Sequence, residues 1–282
     1  SNNNLKIFNS QLTENRATNG GGVFGMWSTI ILDQDQFTIN HADLWGGAIV
    51  TNNGNRTEIH NSVFTGNTAD EQGGAIRAEN TETIITASEL ISNISLEGGG
   101  AIRIVESDTV IRLSQFRDNQ SQTGGAIFSS HSPLLVIDTD ISHNRAVTLS
   151  GTPNNEHGGA LAVNGAELTV HGSLFDNNSA DLSGGAITGY DIPILDIQDT
   201  RFVQNTAGMY GGGIYVNETS GTLNQVVAES NSAKSGGGFA YLLNQTTIAV
   251  TDSVIQNNST TWPYNSGGAG IVSINSTLAL SG

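Results

Sequence analysis

The side chains of this chain that could catalyse a reaction do not converge. Three aspartates, Asp138, Asp199 and Asp252, recur at one position of a repeated sequence unit. Hydrolysis of a polysaccharide needs at least two carboxyl groups that face each other across the scissile bond. Here the aspartates are separated along the series by Gly172 and Gln225, and Asp and Gly are both typical of tight turns. We therefore interpret these aspartates as turn residues rather than as a catalytic group.

The basic and imidazole side chains form no recognisable site either. Arg77 and Arg103 occupy equivalent positions of adjacent units, with no carboxylates stacked beside them, so we predict that both are solvated. The six histidines share neither a repeat position nor the spacing of metal ligands; they are His41, His60, His131, His143, His157 and His171. We predict no catalytic residue, no cofactor and no metal site built from these groups, while calcium binding on the acidic surface stays open.

The charge of the chain excludes several classes of partner. Its formal net charge is −16, and its only lysines are Lys6 and Lys234. Nucleic acid binding needs a basic surface that releases counterions from phosphates, and anionic membranes attract basic segments rather than acidic ones. No stretch approaches the roughly 18 consecutive apolar residues that span a bilayer. We predict that the chain neither binds nucleic acid nor spans a membrane.

All of these residues belong to a unit of about 26 residues that recurs from one end of the chain to the other. Each unit contains alternating apolar residues, a polar step, an apolar residue three positions before an Asn, and then Gly-Gly-Ala-Ile or a close variant. The Asn of the unit is Asn15, Asn40, Asn67, Asn93, Asn119, Asn144, Asn178, Asn205, Asn231 and Asn258. A fixed period with no helical spacing inside it is typical of a solenoid in which each repeat forms one turn.

The pattern inside one unit is that of short β-strands. In the third unit, Ile59 lies between the polar residues Glu58 and His60, which is the alternation of a strand. Phe64 opens a second strand, and a third follows Gly73-Gly74, where glycine permits a close backbone approach. Three short strands per unit predict an all-β fold, a single-stranded right-handed parallel β-helix of about ten coils. We expect residues 1–282 to form a single domain of this kind.

The repeated Asn predicts a ladder inside the solenoid. When Asn residues stack at one position, each amide can donate to one neighbour and accept from the other. A buried Asn without partners would cost about 1–3 kcal/mol, so the repetition is what makes its burial tolerable. We assign this structural role to Asn67, Asn93, Asn119, Asn144, Asn178 and Asn205.

Two units are longer than the others, and insertions in a solenoid become loops on one face. The sixth unit carries extra residues at 148–157 and the tenth at 260–266, both between the Asn and the paired glycines. Trp262 and Tyr264 could stack on a sugar or on a partner protein, or the loop could fold back on its own rod. We predict that ligand or partner contacts come from Trp262, Tyr264, Asn154, Glu156 and His157.

Two tetrapeptides recur together through the chain. Phe-x-x-Asn occurs at 37–40, 64–67, 116–119, 175–178 and 202–205, and Gly-Gly-Ala-[Ile/Leu] at 46–49, 73–76, 99–102, 124–127, 158–161 and 184–187. This pair resembles the repeats of the chlamydial polymorphic membrane proteins, and similar repeats occur in large secreted β-helix proteins of other bacteria and some protists. The resemblance implies a right-handed β-helix that is exposed at the cell surface as an autotransporter passenger and acts as an adhesin.

We therefore expect an extracellular, non-enzymatic rod that acts as a cell-surface adhesin or a structural stalk. Its expected partner is a protein or glycan on a host or neighbouring cell. Because β-helices also include polysaccharide lyases and hydrolases, such an enzyme is retained as an alternative.

The two ends of the chain suggest another alternative. Leu5 and Ile7 occupy the same place in the repeat as Leu278 and Leu280, and neither end shows the cap that solenoids usually carry. The chain is then expected to be a segment of a longer repeat protein. Otherwise, it is the subunit of a head-to-tail filament that self-associates through uncapped ends.

Overall fold

The computed structural model of the protein describes residues 3–148, 157–261 and 267–282. In this part of the chain the structure contains 41 strands, arranged in four parallel sheets. Each strand pairs with its equivalents in the preceding and following coils, so the chain winds as a parallel β-solenoid. No helix in the described residues is long and apolar enough to cross a membrane.

The four sheets follow one another around each coil. The first sheet contains Asn3–Phe8, Ser28–Asp33, Arg56–His60, Glu82–Thr86, Thr109–Arg112, Leu134–Ile137, Leu168–His171, Leu195–Gln198, Ser220–Asn224, Thr247–Thr251 and Thr277–Ser281. The second contains Gln11–Thr13, Gln36–Thr38, Val63–Thr65, Glu89–Ile91, Gln115–Arg117, Asp140–Ser142, Leu174–Asp176, Arg201–Val203, Val227–Glu229 and Val254–Gln256. The third contains Arg16–Asn19, His41–Trp45, Thr68–Ala69, Ile94–Ser95, Gln120–Ser121, Arg145–Ala146, Ser179–Ala180, Thr206–Ala207, Ser232–Ala233 and Ser259–Thr260. The fourth contains Val23–Met26, Ile49–Asn52, Ile76–Glu79, Ile102–Val105, Ile127–Ser130, Leu161–Asn164, Ile187–Tyr190, Ile214–Asn217, Ala240–Leu243 and Ile271–Ile274.

The expectation of an all-β parallel solenoid of about ten coils is confirmed, but each coil has four strands rather than three. The additional strand is the third, which follows the repeated Asn and is only two residues long in most coils, as at Thr68–Ala69. Ala69 pairs with Ala42 of the preceding coil. Two residues are too few to show a period of two, so the sequence reveals only a recurring small side chain here.

The core is built from columns of identical or similar side chains. Ile59 on the first sheet, Phe64 on the second and Ile76 on the fourth are fully buried, and so are most of their equivalents in other coils. Phenylalanines in successive coils stack, with the rings of Phe37 and Phe64 4.8 Å apart and 4° from parallel. Such a pair adds about 0.5–1.5 kcal/mol beyond the area it buries.

One coil departs from these columns, and its neighbours compensate. Ala228 takes the place of Phe64, and the space is shared with Phe239, whose ring lies 5.5 Å from that of Phe202. Phe239 itself stands where other coils carry the Ala of Gly-Gly-Ala-Ile. The equivalent residue of the preceding coil is Gly213, where an added Cβ would lie 2.6 Å from the Phe239 ring. The small residues Ala228 and Gly213 together with the large Phe239 therefore keep the core filled.

The predicted asparagine ladder is present and runs from Asn15 to Asn258. Asn119 shows its pattern: Nδ2 donates to Oδ1 of Asn144 at 2.9 Å and to the carbonyl oxygen of Leu90 at 2.8 Å. Its Oδ1 accepts from the backbone N–H of Asn93 at 2.9 Å and from Nδ2 of Asn93 at 3.1 Å. The same side-chain bond joins each of the ten asparagines to the next. All six asparagines to which the sequence assigns this role belong to the ladder.

Each coil turns between sheets through corners with left-handed backbone. The corner after the first sheet contains Asp138, Asp199 and Asp252, with φ of 48°, 50° and 49°. Equivalent residues in other coils, such as Gln34 and Leu113, also have positive φ. The aspartates therefore lie at tight turns, as interpreted from the sequence.

The paired glycines form the corner before the fourth sheet, and the two glycines have different roles. The first, as at Gly99, has positive φ. The second, as at Gly100, packs so tightly that an added Cβ would lie 2.1 Å from the carbonyl oxygen of Gly125 and 2.6 Å from the backbone nitrogen of Gln120. Where another coil follows, the second position of this corner therefore admits no side chain, whereas the last coil carries Ala269 there.

Candidate functional site

The outward face of the fourth sheet carries a column of aromatic and basic side chains, most of which are buried or half-buried against their neighbours. Because successive strand residues point to opposite faces, the residue after each inward-facing Ile lies on the outside of the rod. In coil order this outer column is Phe24, Val50, Arg77, Arg103, Phe128, Ala162, Thr188, Tyr215, Tyr241 and Val272. The column therefore brings two arginines together in the first half of the rod and two tyrosines together in the second half.

The two arginines are less solvated than expected from the sequence, and for Arg77 the expectation is wrong. Arg77 is only 6% exposed, and its guanidinium lies 4.2 Å from the ring centroid of Trp45 and pairs with Glu79. Arg103 is half-buried and lies 3.7 Å from the ring centroid of Phe128. A guanidinium can stack on an aromatic face while its stem covers apolar surface, and the aromatic partners come from neighbouring coils. This geometry makes Arg77 a packing residue.

Four tyrosines converge farther along the same face. The rings of Tyr215 and Tyr241 are 5.8 Å apart, and those of Tyr210 and Tyr241 are 4.6 Å apart. Tyr190 lies 5.8 Å from Tyr215 on the other side. Tyr215 and Tyr241 are direct partners in the fourth sheet, whereas Tyr210 lies on the turn just before Gly211. The stacking of coils thus assembles four of the five tyrosines of the chain.

Three of them, Tyr190, Tyr210 and Tyr215, line a pocket of about 400 Å³, which we call the tyrosine pocket, and Tyr241 packs against two of these rings. Its other walls are Leu182, Ser183, Met209, Asn217, Leu243 and Asn244. Nδ2 of Asn244 donates to Oδ1 of Asn217 at 3.0 Å, so two amides of adjacent coils lie side by side at its edge. None of the lining side chains carries a formal charge. A volume of this size is in the range of small-molecule sites, and the lining is divided about equally between apolar and polar surface.

Burial affects the acidity of two of the tyrosines. Tyr215 is 8% exposed, and burial raises the pKa of its hydroxyl above the ordinary value of 10.0, although a hydrogen bond with Tyr190 acts in the opposite direction. Burial also raises the pKa of Tyr241. Both hydroxyls are therefore neutral hydrogen-bonding groups at physiological pH.

The raised pKa of Tyr215 predicts a loss of stability in alkali. Above pH 10 the unfolded chain releases the phenolic proton while the folded chain retains it, so the free energy of unfolding falls as pH rises. The fall lasts until pH exceeds the folded-state pKa, with a slope of at most about 1.4 kcal/mol per pH unit from this group. We expect Tyr215→Phe to have a shallower fall between pH 10 and 11.5 than the wild type in urea unfolding. Equal slopes would contradict the assignment.

A second group of ionisable side chains lies on the third sheet, near the start of the rod. Nε2 of His41 is 3.3 Å from Oδ1 of Asp43 and 3.8 Å from Oδ2 of Asp70, and its Nδ1 is 2.9 Å from Oγ1 of Thr68. The three ligand atoms of His41, Asp43 and Asp70 lie within 4.8 Å of one another. Arg16 is 2.6 Å from Oδ1 of Asp43, and its hydrogen bond lowers the pKa of that carboxyl.

This His-Asp-Asp group could hold one divalent cation, provided Arg16 released Asp43. An imidazole with two carboxylates suits a transition metal, whereas calcium prefers oxygen ligands alone. The group therefore gives no support to a calcium site. The sequence did not reveal it because Asp70 belongs to the next coil, where it stands at the position of Asp43.

The buried carboxylate of Asp35 has a structural role, since it accepts hydrogen bonds from the backbone. It is 1% exposed, and burial raises its pKa, although hydrogen bonds from the backbone N–H groups of Ser10 and Asp33 act in the opposite direction. Its equivalents in later coils, such as Ser62 and Ser88, accept the same bond from the preceding coil through a hydroxyl oxygen. Asp35 is thus one rung of a second polar ladder.

The structure describes only one of the five predicted contact residues. Asn154, Glu156, Trp262 and Tyr264 lie outside the described residues, so their role stays a prediction. His157 is described and fully buried, and its carbonyl oxygen accepts from the N–H of Gly124. The His157 side chain is therefore not accessible to a partner, because this residue is part of the buried corner that precedes Gly158.

The tyrosine pocket was not predicted from the sequence, although one signal for it exists. Four of the five tyrosines fall between residues 190 and 241, within three successive units. Their positions within the unit differ, since Tyr210 precedes the paired glycines and Tyr215 follows them. Only the folding of the corner brings the two positions together.

The comparisons with known proteins agree with this architecture. Residues 46–222 match the family described as a right handed beta helix region. This match covers more than half of the 282 residues, so the chain belongs to that family and its solenoid is right-handed.

The chain is also similar to part of one larger protein. It is 30% identical over 138 residues to a protein of Escherichia coli strain K12 that is described as the probable autotransporter YfaL. The matched segment is 43% of this chain and spans 11% of the length of that relative. No solved structure gives a significant match.

Proposed function

We propose that this chain is the extracellular rod of an autotransporter-type surface protein and acts as a non-enzymatic adhesin. The observation that carries the proposal is the tyrosine pocket, an uncharged and partly apolar recess on the side of a rigid solenoid. Such a recess favours binding, since it offers no carboxylate or other charged group that could act in acid–base catalysis.

The comparisons support the setting of this function. The similarity to a probable autotransporter and the β-helix family favour a secreted or surface-exposed passenger. The recurring Phe-x-x-Asn and Gly-Gly-Ala-Ile motifs extend the proposal to a relation with the polymorphic membrane proteins. The net charge of −16 is consistent with solubility outside the cell.

The position of the pocket suits adhesion. It lies on the flank of the rod, where Tyr210, which lines it, and Tyr241, which packs against Tyr210, are both half-exposed. Tyrosine is enriched in binding surfaces because it combines a large apolar ring with a polar hydroxyl. Trp262 and Tyr264, in the insertion of the last coil, are a second proposed contact.

Adhesion can be tested with beads coated with the purified protein. We expect them to bind cultured epithelial cells or extracellular matrix at least fivefold better than albumin-coated beads, and free protein to compete. The double variant Tyr210→Ala/Tyr241→Ala should bring binding close to the albumin level. Phe24→Ala is the matched control, because Phe24 is a half-exposed aromatic residue of the same outer column outside the pocket.

Two results would contradict this proposal. If coated beads bound no surface above the albumin level, the adhesin function would be wrong. If adhesion survived in the tyrosine variant and was lost on replacing Trp262 and Tyr264, the contact would lie in the insertion rather than in the tyrosine pocket.

A further inference from the structure

We infer that the tyrosine pocket binds an uncharged oligosaccharide. This inference rests on the proposed binding function and names its ligand class. It comes from three properties of the pocket: its mixture of apolar and hydroxyl groups, its paired amides and its lack of charge.

The lining matches a ligand that is apolar and polar at the same time. Leu182, Met209 and Leu243 provide apolar walls, and the tyrosines add rings that end in hydroxyl groups. A pyranose ring has the same dual character, because its C–H groups form apolar patches and its hydroxyl groups surround them. A purely hydrocarbon ligand would leave the tyrosine hydroxyls and asparagine amides without partners, which costs free energy.

The two amides favour a sugar over a peptide. An Asn side chain contains both a donor and an acceptor, and the bond between Asn244 and Asn217 uses one N–H of the first and one lone pair of the second. A pair of neighbouring sugar hydroxyls can accept and donate at once, and so can use both kinds of group. A proline-rich peptide, the other common ligand of aromatic grooves, mainly offers carbonyl acceptors and leaves the amide oxygens unused.

The negative charge of the protein favours a neutral glycan over an acidic one. The lining carries no positive side chain, while the chain as a whole has a net charge of −16. The surrounding field therefore repels uronic acids, sulfated sugars and sialic acids. A neutral sugar encounters no such repulsion and needs no counter-charge in the pocket.

The spacing of the coils suits an extended chain. The pocket spans successive coils, which are separated by about 4.8 Å in the hydrogen-bonding direction. The rings of the four clustered tyrosines, three of which line the pocket, follow at centroid distances of 4.6–5.8 Å. One monosaccharide unit has a comparable length. An oligosaccharide that runs along the rod axis can therefore place one sugar beside each coil.

Binding can be measured by calorimetry and saturation-transfer NMR on the whole protein. The probes are tetra- to hexasaccharides of neutral glucans, galactans and mannans, with oligogalacturonate, a heparin hexasaccharide and a proline-rich decapeptide as competing classes. We expect saturable binding of at least one neutral oligosaccharide and none of the charged ones. Tyr210→Ala, which removes a lining ring, should weaken it at least tenfold, whereas Phe24→Ala should leave it unchanged.

A second variant keeps the test independent of folding. Asn244 has φ of 41°, a conformation that Asp also tolerates, so Asn244→Asp preserves the backbone and the size while replacing a donor by a carboxylate. We expect at least fivefold weaker binding and only a small fall in the unfolding midpoint, because the lost bond to Asn217 lies at the half-buried edge of the pocket. The inference is overturned if no neutral oligosaccharide binds, if the peptide or a charged glycan binds instead, or if both pocket variants bind like wild type. Adhesion of coated beads without glycan binding would overturn the ligand class alone, whereas glycan binding without adhesion would overturn the adhesin function.

Discussion

Replacing Asn119 by Ala in the middle of the ladder is expected to lower the free energy of unfolding by about 2–6 kcal/mol. The substitution removes the acceptor of two donors of Asn93, its backbone N–H and its Nδ2. Both asparagines are fully buried, and each buried donor that loses its acceptor costs about 1–3 kcal/mol. Urea unfolding followed by circular dichroism measures the change, and hydrogen exchange should locate the loss of protection in the coils that flank Asn119.

The matched control is Asn224→Ala. Asn224 also accepts a hydrogen bond from the next coil, from Oγ1 of Thr251 at 2.9 Å, but it is half-buried on the outside of the first sheet. Water can replace that bond, so we expect a change within about 1 kcal/mol. Similar losses for Asn119→Ala and Asn224→Ala would show that the ladder contributes no more than a surface contact.

Replacing Gly100 by Ala is expected to have the other large effect, a loss of about 4 kcal/mol or more. The new Cβ would lie 2.1 Å from the carbonyl oxygen of Gly125 and 2.6–2.7 Å from the backbone of Gln120. These are main-chain atoms of the next coil, which cannot move without breaking the pairing of the coils. Thermal unfolding and the yield of soluble protein should both fall.

Gly66 provides the contrasting case. It has φ of 63° at the corner before Asn67, and an added Cβ would meet only Cγ1 of Ile39, at 3.7 Å. The same corner contains Asn177 and Asn257 with φ of 53° and 56°. Gly66→Asn is therefore expected to change stability by less than about 1 kcal/mol. A comparable loss in Gly66→Asn and Gly100→Ala would mean that backbone conformation, rather than the close contact, decides the requirement for glycine.

The coil architecture could be predicted because every coil repeats nearly the same pattern of apolar, Asn and Gly residues. Ile59, Phe64 and Asn67 each belong to a column of equivalent residues. About ten repetitions make each column recognisable in a single sequence. The third strand escaped prediction because two residues such as Thr68–Ala69 have no period. The departure at Ala228 was visible in the sequence, but its explanation was not, since Phe239 fills the space from a different corner of the coil.

The candidate site was less predictable, because it depends on contacts between different columns. Arg77 was expected in solvent, since its burial depends on the position of Trp45 in the preceding coil. Tyr210 and Tyr215 line one pocket only because the chain turns between them at the Gly211-Gly212 corner. From the longer units, the sequence predicted contacts by Trp262 and Tyr264 instead. Their role as contact residues stays a prediction.

The ladder gives the rod an electrical direction as well as a geometric one. Every Oδ1 from Asn40 to Asn258 accepts from the preceding asparagine, so the nine side-chain carbonyls all point towards the first coil. Amide dipoles that are aligned head to tail add together, as they do along an α-helix, and each bond polarises the next. The interior of the solenoid therefore carries a macrodipole, with its negative pole towards Asn15 and its positive pole towards Asn258. A charged group bound near the axis would have a different free energy at the two poles, although the repeating coils around it are nearly the same.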